Sequence, residues 1–246
     1  MLQDKVAIVT GASRGIGAAI AIDLAAHGAI VIVNHRDSAE GAAEVVRSIQ
    51  DAGGRAEAIQ ADVSLLTEAQ RLVKETVDRF GRLDILVNNA GTTRDMLLMM
   101  MSEDDWDAVL TTNLKGAFLV SKAAVRPMLR QRSGRIVNIS SVVGQMGNVG
   151  QANYAAAKAG VMALTRSAAM EAAEHGVRIN AVAPSLAMHA FLEKVTPDGL
   201  LDQLRGQEAF GRGAEPWEVA NVMVFLASDL ASYLTGEVIS VSSQHA

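Results

Sequence analysis

Tyr154 and Lys158 stand four residues apart in Tyr154-Ala155-Ala156-Ala157-Lys158. On a helix that spacing puts both side chains on one face, one turn apart. A phenol is a poor acid–base group at neutral pH because it titrates near ~10; an ammonium beside it favours the phenolate. The same pair also reads as a partly buried tyrosine beside a lysine whose stem lies along apolar surface, so the surroundings decide. Ser140 and Ser141 end the apolar stretch Arg135–Ile139, and Asn88-Asn89-Ala90-Gly91 ends another. Successive residues of a strand point to opposite faces, so one serine of the two faces a cleft. Asn113 lies inside a helical stretch, where a buried amide is costly unless hydrogen-bonded.

Near the N-terminus, Thr10-Gly11-Ala12-Ser13-Arg14-Gly15-Ile16-Gly17 follows a strand-like run and opens a helical one. Gly11, Gly15 and Gly17 let the backbone turn tightly and approach a pyrophosphate, and the helix start, from Ser13 through Ile16, offers free N–H groups and a positive dipole end. The alternative is a strand-to-helix turn with no ligand. Arg14 sits within the loop and Arg36 just beyond the second strand, in Val33-Asn34-His35-Arg36. An acidic residue there takes the ribose hydroxyls of NAD, whereas arginine accommodates the 2′-phosphate of NADP. His35 holds the acidic position, so the expected cofactor is NADP(H) over NAD(H), unless both arginines are plain surface charges. Asp62, before Val63, ends a third strand; it reads as an acceptor for the adenine amino group, as a helix N-cap, or both. With a dinucleotide in the cleft, the oxidised nicotinamide adds a second positive charge beside Tyr154. Lowering the phenol by about three pKa units takes roughly 4 kcal/mol of differential stabilisation.

The elements that position these groups follow from the pattern of apolar residues. Strands are predicted at Val6–Thr10, Ala29–Val33, Ala56–Ala61, Ile85–Asn88, Arg135–Ser140, Arg178–Val182 and Val238–Val241. Most are Val/Ile-rich and continuously apolar, as in parallel strands covered on both faces. Helices are predicted at Ile16–His27, Ala39–Ala52, Leu66–Phe80, Asp105–Gln131, Asn153–His175 and Glu218–Ser228. This alternation predicts an α/β fold with a doubly wound parallel sheet (Rossmann fold): seven strands, helices on both faces, one domain over 1–246, and a ligand crevice at the strand carboxyl ends. The stretch 185–216 breaks the rhythm with Pro197, Gly199, Gly206, Gly211 and Gly213. It reads as a substrate lid or a surface excursion. The apolar run Met96–Met101 reads as the lining of an acyl or ring pocket, or as packing.

Composition narrows the function. The 246 residues carry a formal net charge of -5, which disfavours a nucleic-acid binder. Cysteine is absent, which excludes disulfides, thiolate nucleophiles and cysteine-held metals; no metal is expected. No signal peptide is evident and no apolar run reaches the ~18 residues of a membrane span, so a cytoplasmic protein without a membrane partner is expected.

Taken together, Thr10–Gly17, Asp62-Val63, Asn88–Gly91, Asn113, Ser141, Tyr154 and Lys158 resemble, in order and spacing, the single-domain short-chain dehydrogenase/reductases. The similarity is greatest to the 3-oxoacyl-[acyl-carrier-protein] reductases, around Ile139–Lys158 and in Gly211-Arg212-Gly213-Ala214-Glu215-Pro216. The resemblance implies hydride transfer between NADP(H) and a carbonyl or secondary alcohol, with a 3-oxoacyl thioester as the leading substrate. It implies that Ser141 polarises the carbonyl and Tyr154 gives it a proton. Lys158 would bind the nicotinamide ribose and depress the phenol, and Asn113 would fix a water in a relay to Lys158. Asn89, Ala90 and Gly91 would pack beside the cofactor. Among the two serines, the interval from Ser141 to Tyr154 matches the family and selects Ser141. A homotetramer or dimer built from Asp105–Gln131 and Asn153–His175 is also implied.

Two departures stand out. The family's Pro-Gly, followed four residues later by Thr, reads Pro184-Ser185-Leu186-Ala187-Met188-His189 here. The backbone of Leu186, after Pro184, is expected to meet the nicotinamide carboxamide; His189 reads as a substitute donor, a pocket residue or an exposed histidine. The Asp-Gly-Gly-like end of the last strand reads Ser242-Ser243-Gln244. These changes leave open a catabolic reductase of a CoA thioester, ring ketone or alcohol. An NADP-sensing protein without turnover and a sugar-nucleotide epimerase are weaker alternatives: Tyr154 and Lys158 are both present, and the chain has little room for an extra substrate domain.

Overall fold

The computed structural model describes residues 1–188 and 199–243. Strand β1 (Val6–Val9) is buried at every position, and a strand apolar on both faces needs helices on both. It is joined by β2 (Ile30–His35), β3 (Arg55–Gln60), β4 (Ile85–Asn88), β5 (Gly134–Ile139), β6 (Val177–Pro184) and β7 (Val238–Val241). All seven pair in parallel, in the order β3-β2-β1-β4-β5-β6-β7. The order reverses between β1 and β4, the switch point at which doubly wound sheets hold ligands beyond the strand carboxyl ends. The expected seven-stranded fold is present, with strand boundaries shifted by a residue or two at most of the strands. At the edge, β3 buries just Ala56 and Ile59, since less of it is covered.

The helices are α1 (Gly15–Ala26), α2 (Ala39–Asp51), α3 (Leu66–Phe80), α4 (Glu103–Leu110), α5 (Gly116–Gln131), α6 (Val143–Met146), α7 (Ala152–Ala172), α8 (Leu200–Gln207) and α9 (Pro216–Ala227). Neighbouring residues of one strand serve opposite cores. Val9 packs with Ile20, Leu24, Val45 and Met223 of α1, α2 and α9. Ile8 packs with Leu72, Val120 and Met128 of α3 and α5. Burying each such side chain stabilises the fold by roughly 1.5–3 kcal/mol.

One helix departs from expectation. Instead of a continuous Asp105–Gln131, α4 ends at Leu110, a π-helical turn spans Thr111–Lys115, and α5 follows. The wider turn puts Asn113 at its centre, buried. Within 185–216 the described residues include the helix α8, begun by Gly199 in the left-handed region at φ +81. Ala187 pairs with Ala214 in an isolated parallel bridge. His189 and Gln244 lie outside the described residues.

Candidate active site

The glycine turn lies between β1 and α1. Gly11 and Gly15 both have φ +60, a backbone region that glycine enters at no steric cost. A Cβ on Gly11 would stand 2.8 Å from Ala90 Cα, and one on Gly17 would collide with Asn89 Nδ2 and lie 2.6 Å from Gly11 O. The turn is braced from two sides. Asn89 Nδ2 donates to Thr10 O and Gly11 O at 2.9 and 3.0 Å. Thr10 Oγ1 accepts from the N–H groups of Asn89 and Ala90 at 2.9 and 3.0 Å. On the other side Asn34 Oδ1 accepts from Gly11 N, while its amide donates to Ile59 O and Ala61 O. Thr10 opens the motif read from the sequence, but its bracing role and that of Asn34 are not evident there; a polar residue closing an otherwise apolar strand is the signal that points to both. No side-chain hydrogen bond caps the start of α1, which leaves its first N–H groups to solvent or a ligand. These features fit a dinucleotide pyrophosphate.

Around the cradle, Ser13 backs onto α2, where a Cβ on Gly41 would meet Ser13 O at 2.7 Å. Ile16 packs against the core beneath. Arg14 is exposed. Arg36 Nε pairs with Asp37 Oδ2 at 2.6 Å. His35, at the end of β2, is buried with its Nδ1 lacking a hydrogen-bond partner; burial pushes its imidazole down from the ordinary value. Asp62 Oδ1 accepts from the N–H and hydroxyl of Ser64 at 2.9 and 2.6 Å. It is therefore the centre of a turn and not the N-cap of α3, a position held by Leu65. Val63 is buried, its side chain facing Gly116 at the start of α5.

Across the switch point, β5 and α7 bring Ser141, Tyr154 and Lys158 together. The Ser141 side chain faces the Tyr154 phenol closely enough to lower its pKa. Ser140 turns away and donates to Lys158 O at 2.8 Å, so the expected division between the two serines is seen. The close approach depends on Gly144, where a Cβ would lie 2.8 Å from both Ala159 N and the carbonyl carbon of Lys158. Asn153 anchors the start of α7: it accepts from Tyr154 N at 2.7 Å and donates to Arg94 O and Asp105 O at 3.0 and 3.2 Å.

Lys158 Nζ donates to Ile139 O at 2.8 Å and lies 5.5 Å from the centre of the Tyr154 ring. Burial pushes the ammonium down to about 8. The Tyr154 phenol moves the other way from the expected depression. Burial pushes it up to about 12, against a lowering by the Ser141 hydrogen bond, and with Asp95 adding to the rise. Desolvation of a phenolate dominates at this position. Asn113 is tied by its side chain to the segment that follows β4. Its Oδ1 accepts from Thr92 N at 2.7 Å and its Nδ2 donates to Thr92 O at 2.9 Å. Its amide is thus a clamp on the segment beyond Gly91, whose own Cβ would meet Asn113 Oδ1 at 2.9 Å.

The third wall is the end of β6. Pro184 O accepts from Val142 N at 3.1 Å. Leu186 N donates to Glu208 Oε1 at 3.3 Å and Leu186 O accepts from Ala214 N at 2.7 Å. The run Met96–Met101 is surface and not core: Leu98 is 75% and Met99 90% exposed. Met96 N donates to Gly150 O at 2.8 Å and Gln151 Nε2 to Asp95 Oδ2 at 2.9 Å, so this apolar lip is tied to the segment leading into Tyr154. No described helix is long and apolar enough to cross a membrane.

The chain resembles known proteins over nearly all of its length. Residues 5–198 match the model of the short chain dehydrogenases. The 3-oxoacyl-[acyl-carrier-protein] reductase FabG of Staphylococcus aureus is 50% identical over 242 residues, 98% of each chain. The 3-oxoacyl-[acyl-carrier-protein] reductase of Synechocystis is 48% identical, covering 98% of this chain and 96% of its own. A (5R,7aS)-5-hydroxy-7a-methyl-1-oxo-2,3,5,6,7,7a-hexahydro-1H-indene-carboxyl-CoA reductase of Mycobacterium tuberculosis is 49% identical, covering 100% of this chain and 94% of its own. With a glycine cradle at the switch point and a serine–tyrosine–lysine cluster facing it, the chain belongs to the short chain dehydrogenase family.

Proposed function

We propose that the protein reduces the keto group of a 3-oxoacyl thioester with NADPH. The observation that carries the reading is the meeting of Ser141 and Tyr154 beside a buried Lys158, set across the switch point from the glycine cradle. The nicotinamide, when bound, supplies the hydride. Ser141 and Tyr154 hold the carbonyl oxygen between two hydroxyls, and Tyr154 passes its proton to that oxygen as it becomes an alkoxide. A phenol held near 12 stays protonated throughout the neutral range and still donates readily to an alkoxide. Lys158 and the π turn around Asn113 would return a proton to Tyr154. Gly11, Ser13, Arg14, Gly15, Ile16 and Gly17 would carry the pyrophosphate, with Asp62, Val63 and Asn89–Gly91 beside the adenosine and nicotinamide ribose, and Pro184 and Leu186 at the far wall. NADP(H) is favoured over NAD(H) because the end of β2 offers His35 and Arg36, while Asp37 is engaged by Arg36.

Residues 185–216 would act as the substrate lid. The protein would work as a cytoplasmic homotetramer. A second reading, reduction of a fused-ring CoA thioester, is favoured by the wide apolar lip at Leu98–Met100, which suits a bulky acyl group, and by the likeness to the mycobacterial reductase. Incubation with NADPH and acetoacetyl-CoA, followed by nucleotide absorbance, tests the first reading; no oxidation with this or any longer acyl thioester refutes it. Tyr154→Phe should bind NADPH normally and lose turnover by roughly 10²-fold or more. Arg36→Ala should raise the KM for NADPH far more than that for NADH, and an equal effect on both would defeat the NADP preference.

A further inference from the structure

Three distant pieces of chain converge on one buried carboxylate. Glu208, just after α8, is 4% exposed. Its Oε1 accepts from the Leu186 N–H at 3.3 Å and its Oε2 from the Ser243 hydroxyl at 2.8 Å. Ser243 Oγ in turn accepts from Phe210 N at 3.5 Å. Around this contact the chain is tightly bound: Ala214 N donates to Leu186 O at 2.7 Å and Met188 N to Ala214 O at 2.8 Å. Gly213 has no room for a side chain, since a Cβ would lie 2.8 Å from Met188 Cγ and 2.9 Å from Leu186 O. At the base of the same junction, Ser185 N donates to Val241 O at 3.0 Å. The residue gripping Glu208 from the tail is Ser243, which lies where the family's Asp-Gly-Gly-like turn is missing.

We propose that Glu208, oriented by Ser243, is a positioning residue for the reaction: it holds the Leu186 peptide and thereby the wall at the carboxyl end of β6 that faces the nicotinamide. The inference rests on the NADP(H) reading above for the identity of what lies against that wall. A carboxyl group this deeply buried is retained at a cost unless its oxygens are hydrogen-bonded. Here the two oxygens join the cap segment, the end of β6 and the C-terminal tail. The Leu186 backbone is held on both sides, by its N–H to Glu208 and by its carbonyl, which accepts from Ala214 N. Glu208 touches no reacting atom in this account. It acts through Leu186, and the tail acts through Glu208.

The test uses the full chain and two readouts besides turnover: hydrogen exchange of the Leu186 amide and NADPH affinity by fluorescence, with thermal unfolding as the control. Glu208→Ala should speed Leu186 exchange and weaken NADPH binding roughly ten-fold, the size of a lost hydrogen bond to a charged group. Ser243→Ala should weaken it roughly three-fold with little change in Tm, and it decides the matter if the alanine at 208 does not fold. Glu208→Gln should restore both readouts, because its oxygen still accepts from Leu186 and its nitrogen can donate to Ser243 Oγ. Unchanged Leu186 exchange and unchanged affinity in Ser243→Ala and Glu208→Ala overturn the proposal. So does a glutamine variant as impaired as the alanine. Failure of the wild-type protein to bind NADPH would overturn the cofactor reading separately, since the exchange measurement needs no nucleotide.

Discussion

Tyr154 and Lys158 share a dry environment, and burial drives both toward their neutral forms. The phenol rises to about 12 and the ammonium falls to about 8 from 10.5. In the reduction direction the titration that matters near neutrality is therefore that of the lysine. Activity should fall as pH rises through about 8, as Lys158 loses the charge proposed to hold ribose and relay together; a descending limb first seen above pH 10 would assign the titration to Tyr154 instead. Stability has the opposite sign. The folded pKa of Lys158 lies below the unfolded one, so charging it costs stability at every pH below about 8. That cost is relieved as pH climbs from there toward 10.5. Lys158→Met should thus stabilise the protein at pH 7 by about 2 kcal/mol, after allowance for the lost bond to Ile139 O, while abolishing turnover. Urea denaturation at neutral pH and again above pH 10 checks this: the gain should be present in the first and absent in the second.

At the scale of elements, the strands were legible because each is a short apolar run between turn residues, and five helices were legible from their periodicity, while the sixth, read as Asp105–Gln131, is broken by the π turn. The site residues were legible as an ordered constellation more than as individual signals. What the sequence hid were contacts made by polar groups across elements. Asn88 Nδ2 donates to Ser121 Oγ and Asn138 Oδ1, and Asn138 Nδ2 to Thr165 Oγ1, each at 2.8 Å; this buried chain ties β4, β5, α5 and α7 together. The π turn was hidden too, since widening by one residue leaves the apolar pattern on either side unchanged. The need for Gly144 is likewise invisible without the fold. Gly144→Ala should push α6 away from α7 and part Ser141 from Tyr154. The expected cost is about 1–3 kcal/mol of stability from overpacking, with kcat reduced at least ten-fold, as misplacement by about an ångström can cost more. Stopped-flow turnover set against Tm separates the two effects. A variant of unchanged kcat would mean that Ser141 is positioned by its own strand alone.

On the scale of the whole molecule, the opposite side of the π turn is where the proposed assembly would meet the chemistry. Leu110, Thr111, Leu114, Lys115, Phe118 and Leu164 line a surface depression formed by α4, α5 and α7. Phe118 and Met170 are exposed on the same two long helices. Leu114 belongs to the turn that holds Asn113 and presses on Gly160, where a Cβ would lie 2.7 Å from Leu114 Cδ2. A subunit covering this face would therefore stiffen the clamp on Thr92 and the helix carrying Tyr154 and Lys158. Apolar side chains left in water on a monomer gain roughly 25 cal/mol for each Å² covered, which supplies the driving force. Phe118→Glu places a charge in that contact and should convert the assembly into smaller species by light scattering at micromolar concentration. If the interface braces the site, kcat should fall with the loss of assembly while the Tm of the monomer measures the stability lost. A wild-type protein that is already monomeric would remove the premise, and a dissociated variant with full kcat would show that the sheet alone holds the site in register.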